Sequence, residues 1–189
     1  MQWNIPNSLT VLRILLIPVF VVIFYLPTGA IDSHWVNFLA TAVFAFAAAT
    51  DWLDGYLARR LQQTSAFGAF LDPVADKLMV AAALIVLVEL DRTGAVIALI
   101  IIGREIAISA LREWMAGIGE RGSVAVAGLG KIKTAVQMIA ILLLLYYDPI
   151  GVIDIKFLGE ILIYLAAFLT LLSMAYYLKA AWPQMRERK

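Results

Sequence analysis

Cysteine is absent from this sequence, and histidine occurs once, as His34. The first absence excludes disulfides, thiolate zinc sites and cysteine nucleophiles, without fixing a compartment. The second excludes a histidine-rich metal site, and a catalytic triad would have to rest on His34, which is expected in a loop. Charge is scarce as well: Asp, Glu, Lys and Arg make up 15% of the chain and sum to +1. No basic tract stands outside the loops expected to flank a membrane, so nucleic acid is not an expected partner. Residues 1–8 hold no Lys or Arg, the following apolar run is long, and the rest of the chain is membrane-like. The N-terminus therefore does not read as a cleaved signal peptide.

What remains is apolar. Hydrophobic residues form 63% of 189, too many for a soluble globule of one domain. The pattern predicts an all-α, polytopic membrane protein with six transmembrane helices in a single domain, residues 1–189. Trp3, Ile5 and Pro6 suit a short interfacial segment over residues 1–8. Leu9–Leu26 is about the length a bilayer requires, with Pro18 as a tolerated kink. The second span starts near Trp35 and ends near Arg60, with Ala45, Ala47, Ala48 and Ala49 permitting close helix approach. The third begins near Ala69 with Pro73 in an early turn; the fourth covers Ala95–Leu111. Gly117, Gly119, Gly122, Gly128 and Gly130 form a flexible connector rather than a nucleotide fingerprint, since no strand precedes them. A fifth span runs from Lys131 to Tyr147 and a sixth from Phe157 to Leu178. The basic tail, residues 179–189, reads as a membrane-surface anchor.

Six spans put both termini on one side. Arg59, Arg60, Lys77, Arg112, Arg121, Lys131, Lys133 and the tail fall there, against Arg92 and Lys156 opposite. The positive-inside rule places that side in the cytoplasm.

The chemistry concentrates between Asp51 and Asp76. On helices, Asp51 and Asp54 share a face, as do Asp72 and Asp76. Two such helices lying antiparallel would bring four carboxylates together, and four anions repel unless cations sit between them. Hard divalent ions, Mg²⁺ or Mn²⁺, are the natural counter-charge. Hydrated carboxylates without metal are the alternative, weaker for two pairs than for one. Elsewhere, Arg13 lies a turn inside the first span and either snorkels or points at a phosphate. Arg104 and Glu105 interrupt the fourth span, as a functional site or a buried ion pair. Lys131 and Lys133 open the fifth, as ligands or surface charges.

The string D-x-x-D-G-x-x-A-R, eight residues, G, three residues, D, three residues, D is filled by Asp51, Asp54, Gly55, Ala58, Arg59, Gly68, Asp72 and Asp76. It resembles the signature of the CDP-alcohol phosphatidyltransferase family. Asn4-Ile5-Pro6-Asn7, Leu9-Thr10, Arg13, Gly103-Arg104-Glu105 and Gly130-Lys131-x-Lys133-Thr134 look like bacterial members of that family that use glycerol 3-phosphate. The resemblance implies that fold, usually a homodimer, and two divalent metals, Mg²⁺ or Mn²⁺, held by Asp51, Asp54, Asp72 and Asp76. Asp76 would also be the general base, and Asp54, Gly55, Ala58, Arg59 and Gly68 would bind the CDP-diacylglycerol headgroup.

The implied reaction transfers phosphatidyl from CDP-diacylglycerol to glycerol 3-phosphate, giving phosphatidylglycerophosphate and CMP at the bacterial inner membrane. A dianionic acceptor calls for cations, and Arg104, Arg112, Lys131, Lys133 and Arg13 are the candidates. Serine or inositol phosphate is the alternative acceptor. A cation-coupled transporter is the alternative of another class, disfavoured because the carboxylates mass at one end and no internal repeat occurs.

Overall fold

The computed structural model describes the backbone of residues 5–27, 31–61, 66–117 and 127–186. Within these, six helices follow one another: α1 Ile5–Phe24, α2 Ser33–Leu61, α3 Ala66–Glu89, α4 Ala95–Gly117, α5 Ala127–Tyr146 and α6 Ile155–Arg186. The described residues contain no strand, only isolated bridge positions at Ile31 and between Ile150 and Ile153. α1 starts inside the segment read as an interfacial anchor, and α6 carries the chain through most of the basic tail. α3 starts three residues earlier than the sequence pattern suggests, so Pro73 lies beyond the first turn. Its missing N–H leaves the carbonyl of residue 69 without its helical donor.

Polarity is inverted relative to a soluble protein. Leu15, Phe46, Ile85, Leu99, Ile106 and Phe168 face outward, whereas Thr10, Arg13, Arg104, Lys133, Gln137 and Thr170 are buried. Large apolar surface outside and polar groups gathered inside is the arrangement that lipid demands. Among the described residues, three helices are long and apolar enough to cross a membrane, over Asn7–Phe24, Ser33–Asp51 and Ile155–Ala180. In α3 and α4 charged residues interrupt the apolar run: Asp72, Asp76 and Lys77 in one, Arg104, Glu105 and Arg112 in the other.

Packing rests on small residues. Ala40, Ala47, Ala83, Ala98, Ala140 and Ala167, all buried in the main core, let α2 to α6 approach around Phe20, Phe44, Leu84, Leu87 and Leu144. The α5–α6 contact is the most extensive. A Cβ at Gly159 would stand 2.9 Å from the Leu144 side chain, so α6 needs glycine there. A second cluster, Ile108, Leu111, Met115 and Tyr177, joins α4 to α6 at the end where α3 begins.

The opposite end is tied by a local motif. α3 closes in a Schellman turn: Arg92 N–H donates to Leu87 O at 2.8 Å, Asp91 N–H donates to Val88 O at 3.1 Å, and Asp91 has φ 53°. The turn aims the Arg92 guanidinium at the last turn of α5, where Nη1 donates to the carbonyls of Leu144 at 3.1 Å and Leu145 at 2.8 Å. Nη2 donates to Asn37 Oδ1 of α2 at 2.7 Å, and the guanidinium lies 4.2 Å from the Tyr147 ring centroid. Asp32 caps α2 by accepting the N–H of His34 at 2.9 Å. His34 thus belongs to the first turn of α2 rather than to a loop, and its ring meets Asp148 at 2.9 Å.

Candidate active site

Because successive helices alternate in direction, the start of α1, end of α2, start of α3, end of α4, start of α5 and end of α6 converge. Among the described residues, Arg13, Asp51, Asp72, Asp76, Arg104, Arg112, Lys131 and Lys133 lie at this end, and Arg92 and Lys156 at the other. Asp51 of α2 faces α1, where Arg13 Nη1 is 2.7 Å from Asp51 Oδ1. Arg13 is 2% exposed and Asp51 47%, so a buried cation is held against a carboxylate open to the site. Asp72 accepts a hydrogen bond from the Thr10 hydroxyl, again from α1. Asp76 lies one turn further along α3. It shares one cavity with Asp51 and Arg13 and another with Glu105 and Lys77.

Three cavities meet at Asp76. The largest, about 740 Å³, is bounded by Asp76, Lys77, Arg104, Glu105, Ser109, Arg112, Lys131 and Tyr177 among others. The second, about 260 Å³, runs beneath Asp51 and Asp76 between Arg13, Phe44, Ala47, Ala48, Met79 and Val80. A niche of about 50 Å³ lies between Asp76, Lys77, Glu105, Thr134 and Gln137. Two compartments of unlike character therefore open on one carboxylate: a cationic one, and one with mostly apolar walls.

The five cations expected to hold an acceptor phosphate separate in space. Arg104, Arg112 and Lys131 line the large cavity. Arg104 is buried, its Nη1 donating to Glu105 at 3.2 Å and its Nη2 to Ser173 Oγ at 3.1 Å. Lys133 does not line that cavity. It is 1% exposed and its ammonium donates to Glu105. Arg13 belongs to the second cavity, with Asp51. The side chains of Asp54, Gly55, Ala58 and Arg59 lie outside the described residues, although α2 continues through them; Gly68 is buried at the start of α3.

Ser173 and Tyr177, which the motif reading passed over, complete the site, together with Thr10 and Lys77, which it named without a role at the aspartates. Tyr177 of α6 meets two guanidinium groups, Arg104 at 5.6 Å and Arg112 at 5.7 Å from its ring centroid. Ser173 holds Arg104, Thr10 holds Asp72, and Lys77 sits beside Asp76 on the cavity wall. A signal for the α6 residues existed: Thr170, Ser173 and Tyr177, spaced i, i+3, i+7, form a polar stripe in an apolar helix.

The carboxylates suit a hard divalent cation by donor type, and Asp51 and Asp76 open on one cavity. Among the described residues, no group of three such side chains stands close enough to hold a metal. Asp54, whose side chain is not described, is the fourth member of the set.

The CDP-alcohol phosphatidyltransferase pattern matches residues 3–172. The chain belongs to the CDP-alcohol phosphatidyltransferase family. It is 53% identical over 186 residues to a Pseudomonas fluorescens protein named CDP-diacylglycerol–glycerol-3-phosphate 3-phosphatidyltransferase, covering 97% of this chain and 92% of that one. Proteins of the same name from Escherichia coli strain K12 and Yersinia enterocolitica are 51% identical over 183 residues and 50% over 189. The first match covers 96% of each chain, the second 99% of this chain and 100% of its relative. The full-length matches thus extend past the aspartate motif through α6, the helix that carries Ser173 and Tyr177.

Proposed function

We propose that this chain transfers the phosphatidyl group of CDP-diacylglycerol to glycerol 3-phosphate, releasing CMP. The observation that carries the reading is the junction at Asp76: a carboxylate shared by a roomy cavity with Lys77, Arg104, Arg112 and Lys131 on its wall and by a recess beside Asp51 and Arg13. The names of the relatives fit that division into a donor side and an acceptor side.

In this reading the acceptor phosphate rests on Arg112, Lys131 and Arg104, with Tyr177 beside the two guanidinium groups. Lys133 acts through Glu105, and Arg13 belongs to the donor side. Asp54, Gly55, Ala58, Arg59 and Gly68 hold the CDP headgroup. The primary hydroxyl oxygen of the acceptor attacks the phosphorus that bears diacylglycerol. As that P–O bond forms, the bridging P–O bond to CMP breaks, CMP leaves with the electron pair, and the hydroxyl proton passes to Asp76. Asp51, Asp54, Asp72 and Asp76 would hold two divalent cations, Mg²⁺ or Mn²⁺, which would supply neutralisation of the pyrophosphate and of the leaving oxygen.

The lipid substrate sets the location. One transmembrane domain over residues 1–189 crosses the bacterial inner membrane six times, with the site and both termini on the cytoplasmic side. The Lys and Arg asymmetry between the two ends supports this, and the family resemblance supports a homodimer. The test is CMP release by the purified protein with CDP-diacylglycerol, Mg²⁺ and, in turn, glycerol 3-phosphate, serine, inositol phosphate and glycerol. Release with glycerol 3-phosphate alone is expected. Preference for serine or inositol phosphate would overturn the acceptor assignment.

A further inference from the structure

Gln137, on the inner face of α5, is 3% exposed, and its side-chain oxygen is buried with no hydrogen-bond partner among the described residues. An unpaired buried carbonyl costs about 1–3 kcal/mol, so a position of this kind calls for an occupant that donates to it. Gln137 lines the niche of about 50 Å³ together with Asp76, Lys77, Glu105 and Thr134. That volume holds one hydroxyl-bearing carbon or a water, whose share of the liquid is about 30 Å³.

Charge decides what kind of occupant fits. The niche presents two carboxylates, but Glu105 already receives Lys133 and Arg104, and Lys77 stands on the same wall as Asp76. Glu105 is met by Lys133 and Arg104, and Asp76 is assigned above to the two cations, so no carboxylate of the niche is left to hold a further metal ion. The open valence is the neutral Gln137 oxygen, and its partner is a neutral O–H donor. The niche shares Asp76, Lys77 and Glu105 with the cationic cavity. An acceptor whose phosphate lies on Arg112 and Lys131 and whose reacting hydroxyl lies at Asp76 therefore brings its adjacent carbon to the niche.

We infer that this niche reads the second hydroxyl of a vicinal diol phosphate, with Gln137 accepting its hydrogen bond. This deepens the acceptor assignment above and rests on it. Gln137 is a specificity residue: it separates glycerol 3-phosphate from phosphates of the same length that lack the middle hydroxyl. A site that hydrogen-bonds a substrate hydroxyl rejects the deoxy analogue strongly, because the buried partner is left unpaired.

The experiment compares kcat/KM for glycerol 3-phosphate and for 3-hydroxypropyl phosphate, followed as CMP release, in the wild type, Gln137→Met and Gln137→Leu. In the wild type the deoxy compound is expected to be poorer by about 10²-fold or more. Both variants should lower kcat/KM for glycerol 3-phosphate by about 10-fold or more while moving the deoxy value less than about threefold, so that the two substrates converge. Equal use of both compounds by the wild type would overturn the inference and point to a resident water in the niche, leaving the acceptor assignment intact. An equal fall for both substrates in the variants would make Gln137 structural and would likewise overturn it. No CMP release from either glycerol compound, with release from serine, would remove the proposed function itself. The wild-type comparison stands even where a variant fails to fold.

Discussion

Lys133 and Lys131 stand two residues apart on α5, yet they face different surroundings, and a charge-pair cycle at Glu105 separates their roles. Glu105→Gln keeps the side-chain shape and removes the charge that meets the buried Lys133 ammonium. Breaking a buried pair from one side costs about 3–5 kcal/mol, because the remaining charge is stranded. The lower end applies here, since the amide oxygen of glutamine still accepts from the ammonium. Lys133→Met strands less: Glu105 keeps Arg104 at 3.2 Å and is 23% exposed. Its cost should be about 1–3 kcal/mol. In Glu105→Gln/Lys133→Met no charge of the pair is left, and part of the loss should return as a coupling of about 1–3 kcal/mol. With about 2–4 °C of Tm per kcal/mol for a chain of this size, Glu105→Gln should lower Tm by roughly 6–12 °C, and Lys133→Met by less. The assay is thermal unfolding of purified variants in one detergent, paired with KM for glycerol 3-phosphate. Additive Tm losses, or a Lys133→Met protein of normal Tm and raised KM, would refute the pairing argument and put Lys133 on the acceptor phosphate.

Three further outcomes follow from the same geometry. Lys131→Ala removes an exposed ammonium from the cavity wall, so KM for glycerol 3-phosphate should rise about tenfold or more with Tm nearly unchanged; a parallel rise in KM for CDP-diacylglycerol would speak against an acceptor role. EDTA should abolish CMP release and Mg²⁺ or Mn²⁺ restore it, and excess Mg²⁺ should recover part of the Asp51→Asn loss but not the ~10²-fold loss in Asp76→Asn. Near-normal turnover of Asp76→Asn at saturating Mg²⁺ would reduce Asp76 to a ligand. At the far end, Arg92→Gln gives up charged donors to Leu144, Leu145 and Asn37, each worth about 1.5–3 kcal/mol. Its Tm should fall by about 9 °C or more while KM for both substrates holds, whereas a selective KM change would tie that end to catalysis.

The linear chain already determined the class of this molecule and the place of its chemistry. An apolar composition, six apolar segments and lysines and arginines gathered at alternate connections are properties of local sequence, and lipid leaves a backbone few options besides helices. The aspartate signature was legible because its spacing matches helix periodicity over a short stretch. Helix limits were less legible: α1, α3, α5 and α6 begin earlier than their apolar runs, since a helix extends into polar residues at no hydropathic signal. The third, fourth and fifth helices are not among those long and apolar enough to cross a membrane on composition alone. What only the tertiary structure decided is which charges meet. Arg13, Arg104, Arg112, Lys131 and Lys133 look alike as cations in a string. Their surroundings come from different helices: Asp51 of α2 for Arg13, Glu105 of α4 for Lys133, Ser173 and Tyr177 of α6 for Arg104. The unpaired oxygen of Gln137 is of the same kind, since burial and the absence of a partner arise only when neighbouring helices close around it. Partners dozens of residues apart are set by packing, and no spacing rule along one helix encodes them.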